Sequence, residues 1–376
     1  MANDSKPTDR LRLGIAGCGG MTQLAIAPII RYLGNAQLCA VVDPDKAKAE
    51  FISDSYGPCE VYTDYDRMLG QADIDAVLIC SPVYVHGQQV VAAAAAGKHV
   101  FCEKPMAPTI AECDRMIQAC RSNKVSLMVG LMKRFNPCFQ EAARMVQEGH
   151  LGDVFKVVAN WEFYSGHHPD NWRRSGRTLG GVFQDHGSHS IDLATWWLGD
   201  VEGVSGQFSI ISPRSSVEDS AHCILNHGSG AVSVHQHCSM SHKSDMESYS
   251  IYGTKATLDI CFAGGSWTSN DPFKMKLHKR GKTEQSIDVL GLDPSNHSLD
   301  GRLRSYNSYY RELEHFCNCL ICGDEPLVNG EHGRRITEVI NAVYLSSHRR
   351  QYVKLPLAES FDLEKVFSQA GGSGKK

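Results

Sequence analysis

The stretch LRLGIAGCGGMT, Leu11 to Thr22, decides how the chain is read. It opens as a short apolar run and stops in glycine, the pattern of a buried strand entering a tight turn. Gly17 and Gly19 hold the first two places of a dinucleotide fingerprint. One permits the turn, and the other lets the backbone approach a pyrophosphate at a helix N-terminus. Thr22 stands where the third glycine is usual, and Gly20 adds freedom without filling that place. Glycine-rich turns are common, so the surroundings decide. Four further apolar runs follow: QLCAVVD ending at Asp43, IDAVLICSP (Ile74 to Pro82), HVFCEKP from His99, and VSLMVGLM (Val125 to Met132). Helical patterns lie between them. YVHGQQVVAAAAAG closes on Gly97, a C-cap glycine, and TIAECDRMIQACRSN opens with Thr109 and Glu112 at capping-box spacing. Continuous apolar strands alternating with helices predict a doubly wound parallel sheet covered on both faces. Such sheets bind ligands outside the carboxyl ends of their strands.

Two residues stand at such ends. Asp43 can accept hydrogen bonds from adenosine ribose hydroxyls and would repel the phosphate of NADP; capping the next helix is the alternative. In HVFCEKPMAPT the strand runs into Glu103-Lys104-Pro105. Proline gives no N–H to a sheet ladder and restricts the residue before it. Lys104 is thereby fixed at a strand terminus, as a site residue or as an ordinary solvated lysine.

The chain has 376 residues, a length that predicts two domains or three. With 42% hydrophobic and 21% charged residues it can build both a core and a wet surface. A formal net charge of −4 without a long basic block argues against a nucleic-acid partner. The polar opening MANDSKPTDR lacks an apolar signal core, and VVAAAAAG is too short to span a bilayer. No membrane association is therefore expected, and a cytoplasmic location is. The 14 cysteines are scattered and read as reduced thiols. Cys319 and Cys322 form a C-x-x-C in a helical stretch with no second pair, which disfavours zinc or redox chemistry there.

After about Gly152 the period changes. GDVFKVVANWEFY reads as a long strand, SAHCILNHGSGAVSVHQHCSM as two strands about a tight turn, and SYSIYGTKATLDICFAG as two more. Helices return at Ser305 to Cys322 and Arg334 to His348, and YVKLP adds a final strand. Strands gathered apart from helices predict an α+β domain on a mainly antiparallel sheet. The expected division is 10–133 and 134–368, with the final helix and strand able to pack back on the first domain, and disordered tails at 1–9 and 369–376. In GGVFQDHGSHSIDLATWWLG, Asp185 and His189 are four apart and Asp192 is three beyond. On one helix they share a face. A histidine oriented by a carboxylate is the usual general base near neutral pH; a helix-surface hydrogen bond is the plainer account.

Together these residues resemble the glucose–fructose oxidoreductase, inositol dehydrogenase and MocA (Gfo/Idh/MocA) family. The likeness runs in order through GIAGCGGM, YTDYDRML, DIDAVLICSPVYVH, AAGKHVFCEKPMAPT, KRFNP, GGVFQDHGSHSIDL and FCNCLICGDEPLVNGEHG. It implies a Rossmann NAD-binding domain, a C-terminal domain with a large open sheet, and hydride exchange between a nicotinamide and a carbon of a sugar or cyclitol. It assigns Lys104, Asp185 and His189 to catalysis, and matches Pro82 and His86 to a P-x-x-x-H stretch beside the cofactor. The expected cofactor contacts are Gly17, Gly19, Gly20, Met21, Thr22, Asp43, Ser81, Pro82, His86, Glu103 and Lys104. A homo-oligomer is also implied.

The expected chemistry is oxidation of a secondary hydroxyl, with His189 accepting its proton, cationic Lys104 holding the developing oxyanion, and Asp185 orienting His189 or binding a neighbouring hydroxyl. NWEFYSGHHPDNWRRSGRTLGG, Asn160 to Gly181, carries aromatic and arginine side chains suited to a polar ring, glycosides included. Lys104, Arg134, Tyr164, Trp172, Arg173, Asp185 and His189 are the expected substrate contacts. A glycosidase acting by oxidation, elimination and reduction, a non-catalytic NAD-dependent sensor, and an NADPH-linked reductase are the competing readings. No metal is expected. If NHGSG places Asn226 opposite Ala231, then His222 faces His235, and His237 shares their side of the sheet.

Overall fold

The computed structural model describes residues 10–165, 174–176, 180–243, 245–263, 274–289 and 307–358. The expected tails lie outside these. The chain forms two compact units, one of Met1–Ala107, Ala111–Met132 and Tyr309–Arg334, the other of Pro108–Ile110, Lys133–Ser308 and Arg335–Lys376.

Among the described residues the first unit holds six strands: β1 (Leu11–Ala16), β2 (Ala36–Val42), β3 (Glu60–Tyr62), β4 (Ala76–Ile79), β5 (His99–Glu103) and β6 (Leu127–Gly130). All pair in parallel, in the order β3-β2-β1-β4-β5-β6. The order reverses at β1 and β4, the switch point where such sheets open a crevice. Every residue of β4 and β6 is buried, as their unbroken apolar runs require. The helix Val83–Ala95 ends as its sequence predicts: Gly97 takes a φ of 71°, and Lys98 N–H reaches Ala93 O at 3.0 Å. The helix Asn307–Cys322 returns to this unit, with Phe316 edge-on to Phe101 at 5.8 Å and Asn318 accepting from Asn35 at 2.7 Å.

The second unit carries a nine-stranded sheet. Its strands are β7 (Val154–Glu162), β8 (Val201–Ser209), β9 (Ser220–His227), β10 (Val232–Cys238), β11 (Met246–Gly253), β12 (Thr257–Ala263), β13 (Lys274–His278), β14 (Gln285–Ile287) and β15 (Val353–Lys354). Their order is β14-β13-β12-β11-β7-β10-β9-β8-β15, and only β7 and β10 run parallel. The helices Pro137–Gln147 and Ser188–Leu198 cover one face. Phe139, Ala142, Leu193 and Trp197 pack there on Val157, Ala159, Tyr249, Ile251, Leu258 and Ile260. Full burial of each large apolar side chain contributes roughly 1.5–3 kcal/mol. Asn136 caps the first helix by accepting from Cys138 N–H at 2.9 Å, ahead of Pro137. Among the described residues no helix is long and apolar enough to cross a membrane.

The β9–β10 register corrects the sequence expectation. His227 N–H donates to Ala231 O at 3.0 Å, and Asn226 pairs with Val232 rather than Ala231. The loop therefore has three residues, Gly228-Ser229-Gly230, with Gly230 at φ 85°, where four were expected. A one-residue change exchanges the faces. His222 lies opposite Gln236 and is exposed, whereas His235 and His237 point into the core. The three histidines do not share a face, and no metal-holding group of His, Cys, Asp and Glu occurs among the described residues.

Candidate active site

In the first unit the candidate residues gather at the strand ends. Gly17 takes a φ of 93°, and a Cβ there would lie 2.8 Å from Ser81 N, so β1 and β4 can close together only at glycine. A Cβ at Gly19 or Gly20 would meet nothing within 4 Å. This leaves open backbone at the head of the following helix. Thr22 is fully buried, and its hydroxyl donates to Gly17 O, so the residue replacing the third glycine staples the turn. Met21 begins the same helix, whose next turn, Thr22–Ile26, is π-helical.

Asp43 accepts from Cys18 N–H at 2.8 Å and Asp45 N–H at 2.9 Å. The helix cap considered for Asp43 is made by Asp45, which accepts from Ala47 N–H. Asp43 instead ties the end of β2 to the glycine turn. Glu103 ends β5 and Lys104 follows it, and Lys104 N–H donates to Glu103 Oε2 at 3.2 Å; the Lys104–Pro105 peptide is cis.

His86 was expected beside the cofactor. It is buried, with Nε2 2.8 Å from Ser81 O and Nδ1 3.0 Å from Pro105 O. Burial holds its pKa below the ordinary histidine value. The ring braces the Ser81-Pro82 segment against the Lys104-Pro105 turn, and Ser81 is further held by Gln89.

In the second unit the neighbouring strands β10, β7 and β11 place His237, Trp161 and Glu247 side by side. The Trp161 ring lies 4.1 Å from the His186 ring and 6.2 Å from that of His189. Lys133 Nζ stands 4.0 Å above the same indole, within cation–π range. Its ammonium pairs with Glu247, which also accepts from Tyr249 O–H at 2.6 Å. Asp185 Oδ2 is 3.7 Å from His186 Nε2. Asp185 and His186 occupy a π-helical turn, Phe183–Gly187, that leads into the α-helix bearing His189. A π turn alters the one-face spacing that holds along an α-helix. This turn is anchored by Glu218, whose carboxylate receives Phe183 N–H at 2.9 Å and Tyr344 O–H at 2.7 Å. Burial pushes the Glu218 pKa up to about 7.

Arg134, expected at the substrate, pairs with Asp192 inside the unit. Its Nε lies 2.8 and 3.0 Å from the two carboxylate oxygens of Asp192, and its guanidinium 5.0 Å from the Trp196 ring. Tyr164 is exposed and stacks on His242 at 5.1 Å. Trp172 and Arg173 lie outside the described residues. Lys133, Glu247 and Tyr249 carried no expected role. Inward alternation along β11 marks Glu247, Tyr249 and Ile251 as one buried row, and a carboxylate in such a row requires a partner.

Family models match both parts of the chain: an oxidoreductase family NAD-binding Rossmann fold over residues 11–131, and its C-terminal alpha/beta domain over 143–355. The chain belongs to the Gfo/Idh/MocA oxidoreductase family. Within this family it is 27% identical to a myo-inositol 2-dehydrogenase of Thermotoga maritima over 92% of this chain and 98% of that one. It is 26% identical to an NADP-dependent D-xylose 1-dehydrogenase of Haloferax volcanii, covering 92% and 100% respectively. Among solved structures, an aldose-aldose oxidoreductase from Caulobacter crescentus, complexed with glycerol, superposes with a TM-score of 0.81 at 29% identity, covering 92% of this chain and all (100%) of that one. A scyllo-inositol 2-dehydrogenase of Bacillus subtilis, 26% identical over 85% of this chain and 89% of that one, is named for NAD, so Gfo/Idh/MocA relatives include sugar and inositol dehydrogenases using either nicotinamide dinucleotide. The unobstructed backbone at Gly19 and Gly20 fits such a cofactor.

Proposed function

We propose that the chain is an NAD-dependent dehydrogenase oxidising a secondary hydroxyl of a sugar or cyclitol. The observation that carries this reading is the group at the head of the Ser188–Leu198 helix. His189 and His186 lie against Trp161, with the Asp185 carboxylate beside His186. An indole face suits the C–H face of a sugar ring, and a histidine is the apt base for its hydroxyl. In this reading His189 takes the hydroxyl proton, Lys104 holds the developing alkoxide, and Asp185 orients the histidines or binds a second hydroxyl. The open turn at Gly19 and Gly20 holds the pyrophosphate, and Asp43 meets the adenosine ribose, which favours NAD over NADP. When bound, the dinucleotide supplies the acceptor for the two-electron oxidation.

The test is NADH formation with a panel of inositols, aldoses and glycosides. Loss of one oxyanion donor costs roughly 10²–10³-fold in kcat, and loss of the base about 10²–10⁴-fold. Lys104→Ala and His189→Ala should fall in those ranges while still binding NAD. Near-normal turnover by His189→Ala removes it as the base. Glycoside cleavage without accumulated NADH would favour the oxidation–elimination–reduction chemistry.

A further inference from the structure

Beneath the helix that carries His189 runs a buried file of side chains that the proposed chemistry does not use. His227 Nδ1 lies 2.8 Å from Gly199 O, and His227 Nε2 lies 2.8 Å from Ser233 Oγ. Ser233 Oγ is 2.9 Å from His235 Nε2. His235 Nδ1 is 2.8 Å from Ser190 Oγ, which is 3.0 Å from His237 Nε2. The side chains of His227, Ser233, His235, Ser190 and His237 are all buried. His237 Nδ1 has no hydrogen-bond partner among the described residues.

Donor counting gives the file a direction. The Gly199 carbonyl only accepts, so His227 carries its proton on Nδ1. Burial lowers the pKa of His227, takes that of His235 to about 3, and lowers that of His237 well below the usual value. Each ring is therefore neutral near pH 7 and donates from one nitrogen only. The bare Nε2 of His227 accepts from Ser233 O–H. The Ser233 oxygen accepts from His235 Nε2–H. The bare Nδ1 of His235 accepts from Ser190 O–H, whose other acceptor, Gly187 O, is farther at 3.2 Å. The Ser190 oxygen then accepts from His237 Nε2–H. Each assignment forces the next.

We propose that Gly199, His227, Ser233, His235 and Ser190 form a one-way hydrogen-bond chain that fixes His237 as its Nε2–H tautomer and leaves Nδ1 as an acceptor for a hydroxyl donor. A buried acceptor is costly when unmet. The donor is either an ordered water or a ring hydroxyl of a polyol. His237 flanks Trp161, at 6.4 Å between rings, as do His186 and His189. The polyol source rests on the dehydrogenase reading; the tautomer assignment does not. The four chain side chains are positioning residues acting through His237.

Neutron diffraction from deuterium-exchanged crystals of the whole protein tests this without reference to activity. Deuterons are expected on His227 Nδ1, His235 Nε2 and His237 Nε2. A deuteron on His235 Nδ1 or on His237 Nδ1 overturns the chain. Crystals are compared with and without NAD and myo-inositol. An oxygen on His237 Nδ1 in both states identifies water, and its replacement by an inositol hydroxyl identifies the substrate. No oxygen within hydrogen-bonding distance in either state refutes the acceptor role. In Ser233→Ala, His235 loses its acceptor and turns to donate from Nδ1 to Ser190. Ser190 is then released to donate to His237 Nε2 or to Gly187 O. An unchanged His235 tautomer in that variant sinks the directional chain. Should the variant not fold, the wild-type deuteron positions still decide.

Discussion

Arg134 and Asp192 make a pair whose energetics can be measured directly. The side chains are 8% and 1% exposed, and Arg134 Nε contacts both carboxylate oxygens. Asp192→Asn keeps the shape and removes the charge, leaving a guanidinium buried against Trp196. Breaking a buried pair from one side costs roughly 3–5 kcal/mol, whereas replacing both partners by apolar residues is often near neutral. Arg134→Met and Asp192→Asn should each destabilise by about that amount. A domain of this size loses roughly 2–4 °C per kcal/mol, so melting should fall by about 6–20 °C. The double variant Arg134→Met/Asp192→Leu should lose far less than the sum of Arg134→Met and Asp192→Leu measured singly, a coupling of at least ~3 kcal/mol. Urea unfolding followed by the intrinsic fluorescence of the five tryptophans reads this out. Single losses below ~1 kcal/mol, the range of an exposed pair, would refute the reasoning, as would additivity. A large rise in KM for Arg134→Met with little loss of stability would return Arg134 to the substrate.

Asp43→Ala should shift kcat/KM toward NADP; an unchanged NAD to NADP ratio would remove Asp43 from cofactor choice. It should also loosen the glycine turn by freeing Cys18 N–H, seen as faster amide exchange there. Gly17→Ala faces a φ of 93° and a 2.8 Å approach to Ser81 N. Positive φ alone costs roughly 1–2 kcal/mol, so the variant should lose NAD affinity in calorimetry as well as stability; wild-type behaviour in both would show that the turn yields freely. Glu218 has a folded pKa raised from 4.5 to about 7. Between these values the native state holds a proton that the unfolded state has released. Its contribution is therefore present at low pH and lost as pH rises through about 7. Glu218→Gln keeps an oxygen acceptor for Phe183 and Tyr344 and should flatten that decline in pH-dependent denaturation; an unchanged slope would assign the decline to other groups.

The parallel sheet was legible because β4, β5 and β6 are buried along almost their whole length and therefore read as unbroken apolar runs. β3 escaped notice: three residues at a sheet edge, one exposed, make no run. The glycine turn, Asp43, Lys104 and the Asp185–His189 segment stood out because each breaks a local pattern at a strand end or helix head. Two things were not legible. Composition cannot tell a three-residue from a four-residue loop in NHGSG, and that single residue decides which face His222, His235 and His237 occupy. Ion pairs across the fold were hidden as well. Arg134 beside a motif gives no sign of its pairing with Asp192, and Lys133 meets Glu247 across a sequence separation of 114.

The place of β7 in the sheet bears on how the second unit comes to be folded. β8, β9 and β10 are successive antiparallel neighbours, as are β11, β12, β13 and β14. Each ribbon joins strands close in sequence, whose pairing costs little loop entropy and forms quickly. β7 is made before either ribbon but pairs with β10 on one side and β11 on the other. It is the seam between them, and its contacts are the long-range ones that close late. Trp161 lies on this strand, so it meets His237 and Glu247 only when the seam shuts. A chain emerging from synthesis is therefore expected to gain its indole platform only when this seam shuts, and partly folded copies would carry His186, His189 and His237 without the ring against which they lie.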